Sequence, residues 1–215
     1  MDKKFNDGDS VNLLDILGGD CDRANLKLAE PSLVEDYVDF ENRTIWLDQE
    51  IGFDITLYTK YIIRWNKEDS NIEIDKRKPI KIFILSVGGY LEACFHFIDI
   101  IKLSKTPVYG YNVGMAYSAA FVIYLSCHKR YCTPHSSCLL HQGSASFEGS
   151  ADNIFKSVDK YKGQVDQMMQ YTLERTSLTK QILNKHKTED WYIGLDDQLK
   201  YGISNEIIED ISELY

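Results

Sequence analysis

Hydrophobic positions in the middle of the chain predict a strand, a tight turn and a helix in succession. Residues 80–85 are almost all apolar, which is typical of a strand buried in a parallel sheet. Gly88 and Gly89 interrupt this run, and apolar residues then recur at helical spacing over residues 91–103. The pattern therefore predicts one strand–turn–helix unit.

The same order repeats directly afterwards. Residues 107–113 predict a second strand, Gly114 predicts a turn, and residues 117–126 predict a helix of small and apolar side chains. Alternating strands and helices of this kind are typical of α/β proteins. We therefore predict an α/β fold.

Weaker patterns predict the flanking elements. They are a short helix at 12–17, a strand at 43–47, a helix at 53–66, a surface loop at 68–78, strands at 131–133 and 137–141, helices at 178–185 and 196–200, and a strand at 203–208. A long helix is predicted from Ser150 to Thr172, because Ile154, Val158 and Val165 recur near the 3.6-residue period.

Length and composition predict one sizeable domain. The chain has 215 residues, of which 44% are hydrophobic, and only four are proline. Residues 1–37 are acidic and weakly periodic, so we expect them to be weakly structured or loosely packed. Residues 38–215 are expected to form the folded domain.

Charge disfavours several kinds of partner. The net charge is −9 and no cluster of Lys and Arg alternates with aromatic residues, so nucleic acid is not an expected partner. No apolar stretch approaches the roughly 18 residues that a membrane span needs. The first residues also lack the apolar segment of a secretory signal. We expect a cytoplasmic protein without a membrane partner.

Cysteine and histidine residues crowd into residues 127–141 and raise the question of a metal site. They are Cys127, His128, Cys132, His135, Cys138 and His141. Zinc sites favour two closely spaced ligand pairs, and the gaps here are wider and fall on predicted strands. We expect core thiols, with no metal and no cofactor.

Ser118 is a candidate nucleophile. It follows a glycine turn at the predicted start of a helix, where backbone N–H groups lack intrahelical partners. The neighbouring residues Ala116, Ala119 and Ala120 are small and would leave room for a substrate. Alone, this motif fits a helix-packing face of small residues better than a catalytic site.

His141 and Asp190 are candidates for the other two members of a catalytic triad. Alone, His141 fits a core histidine at the end of a strand, and Asp190 fits a surface acid or helix cap. Together with Ser118 they offer a nucleophile, a general base and a carboxylate that orients the base. The set predicts a serine hydrolase in which the backbone N–H groups of Gly89 and Ala119 form the oxyanion hole.

The same segments resemble the Clp protease proteolytic subunit (ClpP) family. Its Gly-Gln-Ala-Ala-Ser-Met, Ile-His-Gln-Pro and Asn-Ser-Pro-Gly-Gly stretches are similar to residues 114–119, 140–143 and 85–89. Its aspartate before an aromatic, with Tyr-Gly further on, is similar to Asp190-Trp191 and Tyr201-Gly202. The resemblance extends from about residue 43 to residue 208.

This resemblance implies a specific fold and assembly. The fold would be the ClpP/crotonase-like superhelix of repeated β-β-α units, with a protruding handle helix at about 137–176. The chain would form heptameric rings of itself stacked as a tetradecamer, cleave unfolded polypeptides inside that chamber, and work with an AAA+ unfoldase. Lys-Thr-Pro-Val and His-Lys-Arg-Tyr segments further resemble ClpP-like proteins of bacteriophages and prophages.

Departures from the family pattern lie beside the predicted site. Val87 replaces the proline of the glycine turn, Ala119 replaces methionine, and Gly143 replaces the proline after His-Gln. Tyr117 is bulkier than the usual alanine before the nucleophile. Two alternatives stay open: a catalytically silent structural or regulatory ring subunit, and a crotonase-type acyl-CoA enzyme in which Ser118 is incidental.

Overall fold

The computed structural model describes residues 31–214, and in this range the chain forms seven α-helices and seven β-strands. The sheet lies in a compact unit that begins at residue 39. The helix predicted at 12–17 and most of the acidic segment 1–37 lie outside the described residues. Helix α1 (Pro31–Asn42) runs across the predicted boundary between residues 37 and 38.

The predicted mixture of strands and helices is confirmed. After α1, the helices are α2 (Thr56–Glu68), α3 (Leu91–Leu103), α4 (Ala119–Ser126), α5 (Ala151–Arg175), α6 (Lys180–Lys185) and α7 (Leu195–Lys200). The strands are β1 (Thr44–Leu47), β2 (Ile80–Ser86), β3 (Val108–Tyr117), β4 (Lys129–Cys132), β5 (Ser137–Leu140), β6 (Trp191–Ile193) and β7 (Glu206–Ile207). The terminal strand is shorter than predicted.

The sheet branches at its longest strand. Strands β1-β2-β3-β4-β7 lie side by side, all parallel. The first half of β3 pairs with β4, whereas its second half pairs with β5, also in parallel. Strand β5 in turn pairs antiparallel with β6. The carboxyl end of β3 is therefore flanked by β2 and β5.

The turn predicted at Gly114 is wrong, because β3 continues through it to Tyr117. Ile84 pairs with Asn112, but Ser86 pairs with Ala116, so β3 carries extra residues in a bulge. The Gly114 N–H donates to Oδ1 of Asn112 at 3.2 Å, which satisfies a backbone group inside the bulge. As a result, helix α4 begins at Ala119 rather than at Tyr117.

Apolar side chains from β2, α3 and α4 form the main core. Every residue of α4 is buried, which explains why its sequence lacks a polar face. The large, fully buried side chains include Trp65, Ile82, Ile84, Phe97, Phe121 and Tyr124. The described cysteines Cys94, Cys127, Cys132 and Cys138 are buried free thiols, and burial raises the pKa of Cys127 to about 12.

The segment 68–78, predicted as a surface loop, contains a buried carboxylate. Asp69 is only 1% exposed and accepts hydrogen bonds from both terminal nitrogens of Arg43, at 2.6 and 2.8 Å. The Thr106 hydroxyl donates to the same carboxylate at 2.7 Å. A bidentate arginine pair of this kind compensates a buried charge, which the polar sequence of the segment does not indicate.

Helix α5 has two different halves. Its 25 residues span about 37 Å at 1.5 Å per residue. The buried residues Val165, Met168, Tyr171 and Thr172 all lie in its C-terminal half, whereas Phe155 in the N-terminal half is 67% exposed. Among residues 31–214, no helix is long and apolar enough to cross a bilayer.

Candidate active site

Ser118 occupies a tight turn between β3 and α4. Its φ of 53° and ψ of −122° are rare for a residue with a side chain. Among described non-glycine residues, only Ser118 and Arg43 have positive φ. The Ser118 N–H donates to the Leu139 carbonyl at 2.9 Å, which ties the turn to β5. Such strain is typical of side chains held in a functional position.

Gly88 packs directly against this turn. A Cβ on Gly88 would lie 2.8 Å from Cβ of Ser118, 2.5 Å from the Tyr117 carbonyl oxygen and 2.9 Å from the Ala119 nitrogen. Its φ of +97° also favours glycine. The glycine turn after β2 is therefore in contact with the turn that carries Ser118. The spacing of the motifs in the sequence could not predict this contact.

Strand pairing brings His141 beside Ser118. The parallel register of β3 and β5 places Tyr117 opposite Leu139, so the residues that leave these two strands lie at the same edge of the sheet. His141 follows the last residue of β5, and its side chain is 25% exposed.

Strand β6 brings Asp190 to His141 from the other side. Leu140 pairs with Trp191 in the antiparallel ladder, so His141 and Asp190 emerge next to each other. Nδ1 of His141 lies 3.1 Å from Oδ1 of Asp190. When Nδ1 carries the proton and donates it to the carboxylate, Nε2 is left as an acceptor. The Asp190 side chain is 58% exposed.

Ser118 and His141 line one cleft of about 640 Å³. In the described part of the chain, no hydrogen bond joins Oγ of Ser118 to the His141 ring. The arrangement therefore contains the hydrogen bond between His141 and Asp190 and places Ser118 in the same cleft as His141. The hydrogen bond between Ser118 and His141 is not formed. Catalytic hydrogen bonds are often long before substrate binds.

Two backbone N–H groups, that of Gly89 in the cleft lining and that of Ala119 next to Ser118, have no protein acceptor within residues 31–214. Gly89 N–H donates to no described residue, although its neighbours Ile51 and Tyr90 do form backbone hydrogen bonds across this bridge. Ala119 N–H is the first amide of α4, where an intrahelical partner is missing. Within the described residues neither predicted oxyanion donor has a protein acceptor, but Ala119 is fully buried and is not part of the cleft lining.

The far wall of the cleft comes from α3 and α5. Nζ of Lys160 on α5 lies 3.1 Å from Oε1 of Glu92 at the start of α3. A hydrogen bond from its own backbone N–H, together with bonds from Gln164 and Lys160, holds the pKa of Glu92 below its usual value. The pair joins the two helices across the cleft.

Sequence reasoning missed this wall. Glu92, Lys160 and Tyr161 all lie on helices whose apolar periodicity is the main sequence signal, and nothing in that periodicity points to a cleft. Glu92 on α3 and Lys160 on α5 are 68 positions apart in the chain and meet only through tertiary packing.

Within residues 31–214, no three His, Cys, Asp or Glu residues are arranged to hold a metal ion.

Comparison with known proteins gives consistent matches. The Clp protease family model matches residues 40–211. The ATP-dependent Clp protease proteolytic subunit of Paracoccus denitrificans is 26% identical over 65% of this chain and 71% of the relative, and subunit 2 of Treponema denticola is 29% identical over 64% and 70%.

A solved structure shares the fold. The structure of a ClpP1 point mutant from Listeria monocytogenes has a TM-score of 0.64 and 25% identity, covering 85% of this chain and 99% of that one. This similarity confirms the predicted ClpP-type α/β fold.

Proposed function

The chain belongs to the Clp protease family, and we propose that it is a serine-type endopeptidase with Ser118 as nucleophile, His141 as general base and Asp190 as the acid that orients His141. The observation that carries this proposal is the His141–Asp190 hydrogen bond at the wall of the cleft that Ser118 also lines. Gly89 and Ala119 supply the oxyanion donors.

Acylation requires two proton transfers, one from Ser118 to His141 and one from His141 to the leaving amine. His141 Nε2 removes the proton from the Ser118 hydroxyl while Oγ forms a bond to the peptide carbonyl carbon. The carbonyl oxygen becomes an oxyanion and accepts hydrogen bonds from the Gly89 and Ala119 N–H groups. The intermediate then expels the amine, which receives the proton from His141.

Deacylation repeats these steps with water. His141 takes a proton from the water molecule as its oxygen attacks the ester carbon of the acylated Ser118. Collapse of the second oxyanion intermediate breaks the bond to Oγ, and the proton on His141 returns to Ser118. Asp190 stays ionised throughout and stabilises the imidazolium that forms in each half-reaction.

In the described residues no hydrogen bond joins Ser118 to His141, and this supports a role for assembly in aligning the two side chains. We propose that the chain forms heptameric rings of itself, stacked as a tetradecamer, and that an AAA+ unfoldase supplies unfolded polypeptide. The names of the relatives support this, since they are called proteolytic subunits of an ATP-dependent protease. The exposed N-terminal half of α5 supports a handle that contacts a second ring.

Two finer features are supported by the sequence. The Lys-Thr-Pro-Val and His-Lys-Arg-Tyr segments support a protein of the phage or prophage type. The sequence match to the Clp protease family model supports a cytoplasmic location.

A catalytically silent ring subunit is the second candidate, and one observation favours it. Without a hydrogen bond to the imidazole, the Ser118 hydroxyl is not activated in this arrangement. A crotonase-type acyl-CoA enzyme is less well supported, because that chemistry gives no reason for a carboxylate to orient His141.

Turnover of a short fluorogenic peptide by the purified assembly tests the proposal. We expect hydrolysis by the parent protein, loss of hydrolysis in Ser118→Ala, and normal hydrolysis in Ser212→Ala, which removes an exposed hydroxyl outside the cleft lining. Equal turnover by parent and Ser118→Ala would remove Ser118 from the mechanism. No turnover by an intact parent assembly would favour the silent subunit.

A further inference from the structure

In the described chain, few hydrogen bonds hold the segment that follows His141. Residues 141–149 connect β5 to α5 and form neither helix nor strand. Within the described chain, the one hydrogen bond to the backbone of this segment comes from Tyr161, whose hydroxyl donates to the Gln142 carbonyl at 2.8 Å. The general base is therefore followed by a connection whose one described backbone hydrogen bond comes from a side chain of α5.

Gly143 has no Cβ and therefore leaves room for the same hydroxyl. A Cβ on Gly143 would lie 2.7 Å from Oη of Tyr161, inside normal contact distance. The φ of +76° at Gly143 is also a conformation that favours glycine. The Tyr161 hydroxyl thus occupies the space that a side chain at position 143 would need, and the two residues fit only as a pair.

The Tyr161 ring makes a second contact with the segment. Phe147 packs edge-on against it, with ring centroids 6.1 Å apart. Burial raises the pKa of Tyr161, so its hydroxyl stays protonated and able to donate. One side chain therefore contacts the segment at its start, through Gln142 and Gly143, and near its end, through Phe147.

We infer that Tyr161 is a positioning residue for catalysis, which fixes residues 142–147 and thereby the direction of the His141 imidazole toward Ser118. The inference rests on the proposed serine peptidase function. Asp190 restrains His141 through Nδ1, but an exposed carboxylate alone does not fix the backbone that carries the ring. Tyr161 restrains that backbone from the opposite side of the cleft.

Tyr161→Phe removes the hydrogen bond and keeps the ring contact. We expect kcat for a short fluorogenic peptide to fall by about 10-fold to 100-fold with KM within about 2-fold, because a misplaced base slows chemistry more than binding. The backbone NMR order parameters of residues 142–149 should also fall, because the segment loses its restraint at Gln142. Tyr192→Phe is the matched control, since it removes a hydroxyl from an exposed tyrosine outside the cleft.

A double-mutant cycle separates positioning from a general loss of structure. Gly143→Ala should lower kcat in the parent by pressing its Cβ against Oη, and should lower kcat less in the Tyr161→Phe background, where that oxygen is absent. Additive effects would overturn the pairing. Parent-like kcat or parent-like order parameters in Tyr161→Phe would overturn the positioning role.

The proposed function and the positioning role fail in different ways. If the parent assembly shows no Ser118-dependent turnover, the proposed function is wrong, and the catalytic role of Tyr161 falls with it whatever the order parameters show. If the parent turns over and Tyr161→Phe matches it, only the positioning role is wrong.

Discussion

Nδ1 of His141 lies 3.1 Å from Oδ1 of Asp190, although the two residues are 49 positions apart in the chain. The antiparallel pairing of Leu140 with Trp191 produces this contact, because His141 follows the last residue of β5 and Asp190 precedes the first residue of β6, at the same end of the ladder. When Nδ1 donates its proton to Asp190 in this contact, Nε2 is left as an acceptor. A surface acid thereby acquires a role in orienting the proposed base.

Asp190→Asn should leave the fold intact and lower kcat strongly. An amide can donate to Nδ1, which favours the wrong tautomer, and in a serine protease triad this change costs about 10⁴-fold. The measurement is kcat for a fluorogenic peptide. Asp197→Asn, which removes an acid paired only with exposed Lys200, should keep parent activity. If Asp190→Asn retained full kcat, the orienting role would be wrong.

Gly88→Ala should lower kcat by about 10²-fold or more. The added Cβ would lie 2.9 Å from the Ala119 nitrogen and 2.8 Å from Cβ of Ser118, so it displaces an oxyanion donor and the nucleophile together. Gly163→Ala is the control, because nothing lies within 4 Å of a Cβ there and helix α5 favours alanine over glycine. Peptide hydrolysis rates and thermal unfolding of both variants check the prediction, and equal activities would contradict it.

Asp69→Asn should destabilise the fold by about 3 kcal/mol at neutral pH. Loss of the charge leaves the Arg43 guanidinium without its bidentate partner in a buried setting. Urea unfolding at one fixed protein concentration measures the effect. Asp159→Asn, which alters an exposed acid 4.0 Å from Lys162, should change the unfolding free energy little.

Acid should diminish the contribution of Asp69. The Arg43 guanidinium, and to a smaller extent the Thr106 hydroxyl, hold the pKa of Asp69 below its usual value. A carboxyl with a lowered folded-state pKa stabilises the fold above its unfolded-state pKa of about 3.9, and this contribution is lost as pH falls through the folded-state value. The stability difference between the parent and Asp69→Asn should therefore shrink below about pH 4. A constant difference down to about pH 2 would contradict this.

Arg130→Lys should destabilise the fold by about 3 kcal/mol. The buried guanidinium donates to backbone carbonyls at the end of α4 and near β7, including Cys127 at 3.2 Å, Gly202 at 2.9 Å and Ile203 at 2.7 Å. A lysine ammonium cannot reach this set with the same planar geometry. Arg64→Lys, in an exposed pair with Glu68, is the control for thermal unfolding.

The fold could be predicted from sequence where periodicity and strand length agree. Helix α3 has the predicted bounds, and β2 differs by one residue, because β2 is mostly buried and the buried residues of α3 recur at helical spacing. The β3 bulge could not be predicted, since Gly114 is conformationally permissive and a side chain, Asn112, stabilises the bulge. The buried Asp69 was also missed, because its partner Arg43 is distant in sequence.

The members of the site were predictable as residue types, but their relationships were not. Motif order identified Ser118, His141 and Asp190 as candidates, while the left-handed turn at Ser118 and its contact with Gly88 depend on the packing of two glycine turns. The only sequence signal at Tyr161 is that its position fits the helical period of α5. Its hydroxyl contact with Gln142 depends on how α5 lies against the segment after β5.

Mass spectrometry of the protein after treatment with a fluorophosphonate tests the central claim most directly, because the reagent reacts with an activated serine and the modified residue can be mapped. Activation of Ser118 by His141 predicts one adduct, on Ser118, which disappears in Ser118→Ala and is strongly reduced in His141→Ala. An adduct on a different serine, or undiminished labelling of His141→Ala, would contradict it.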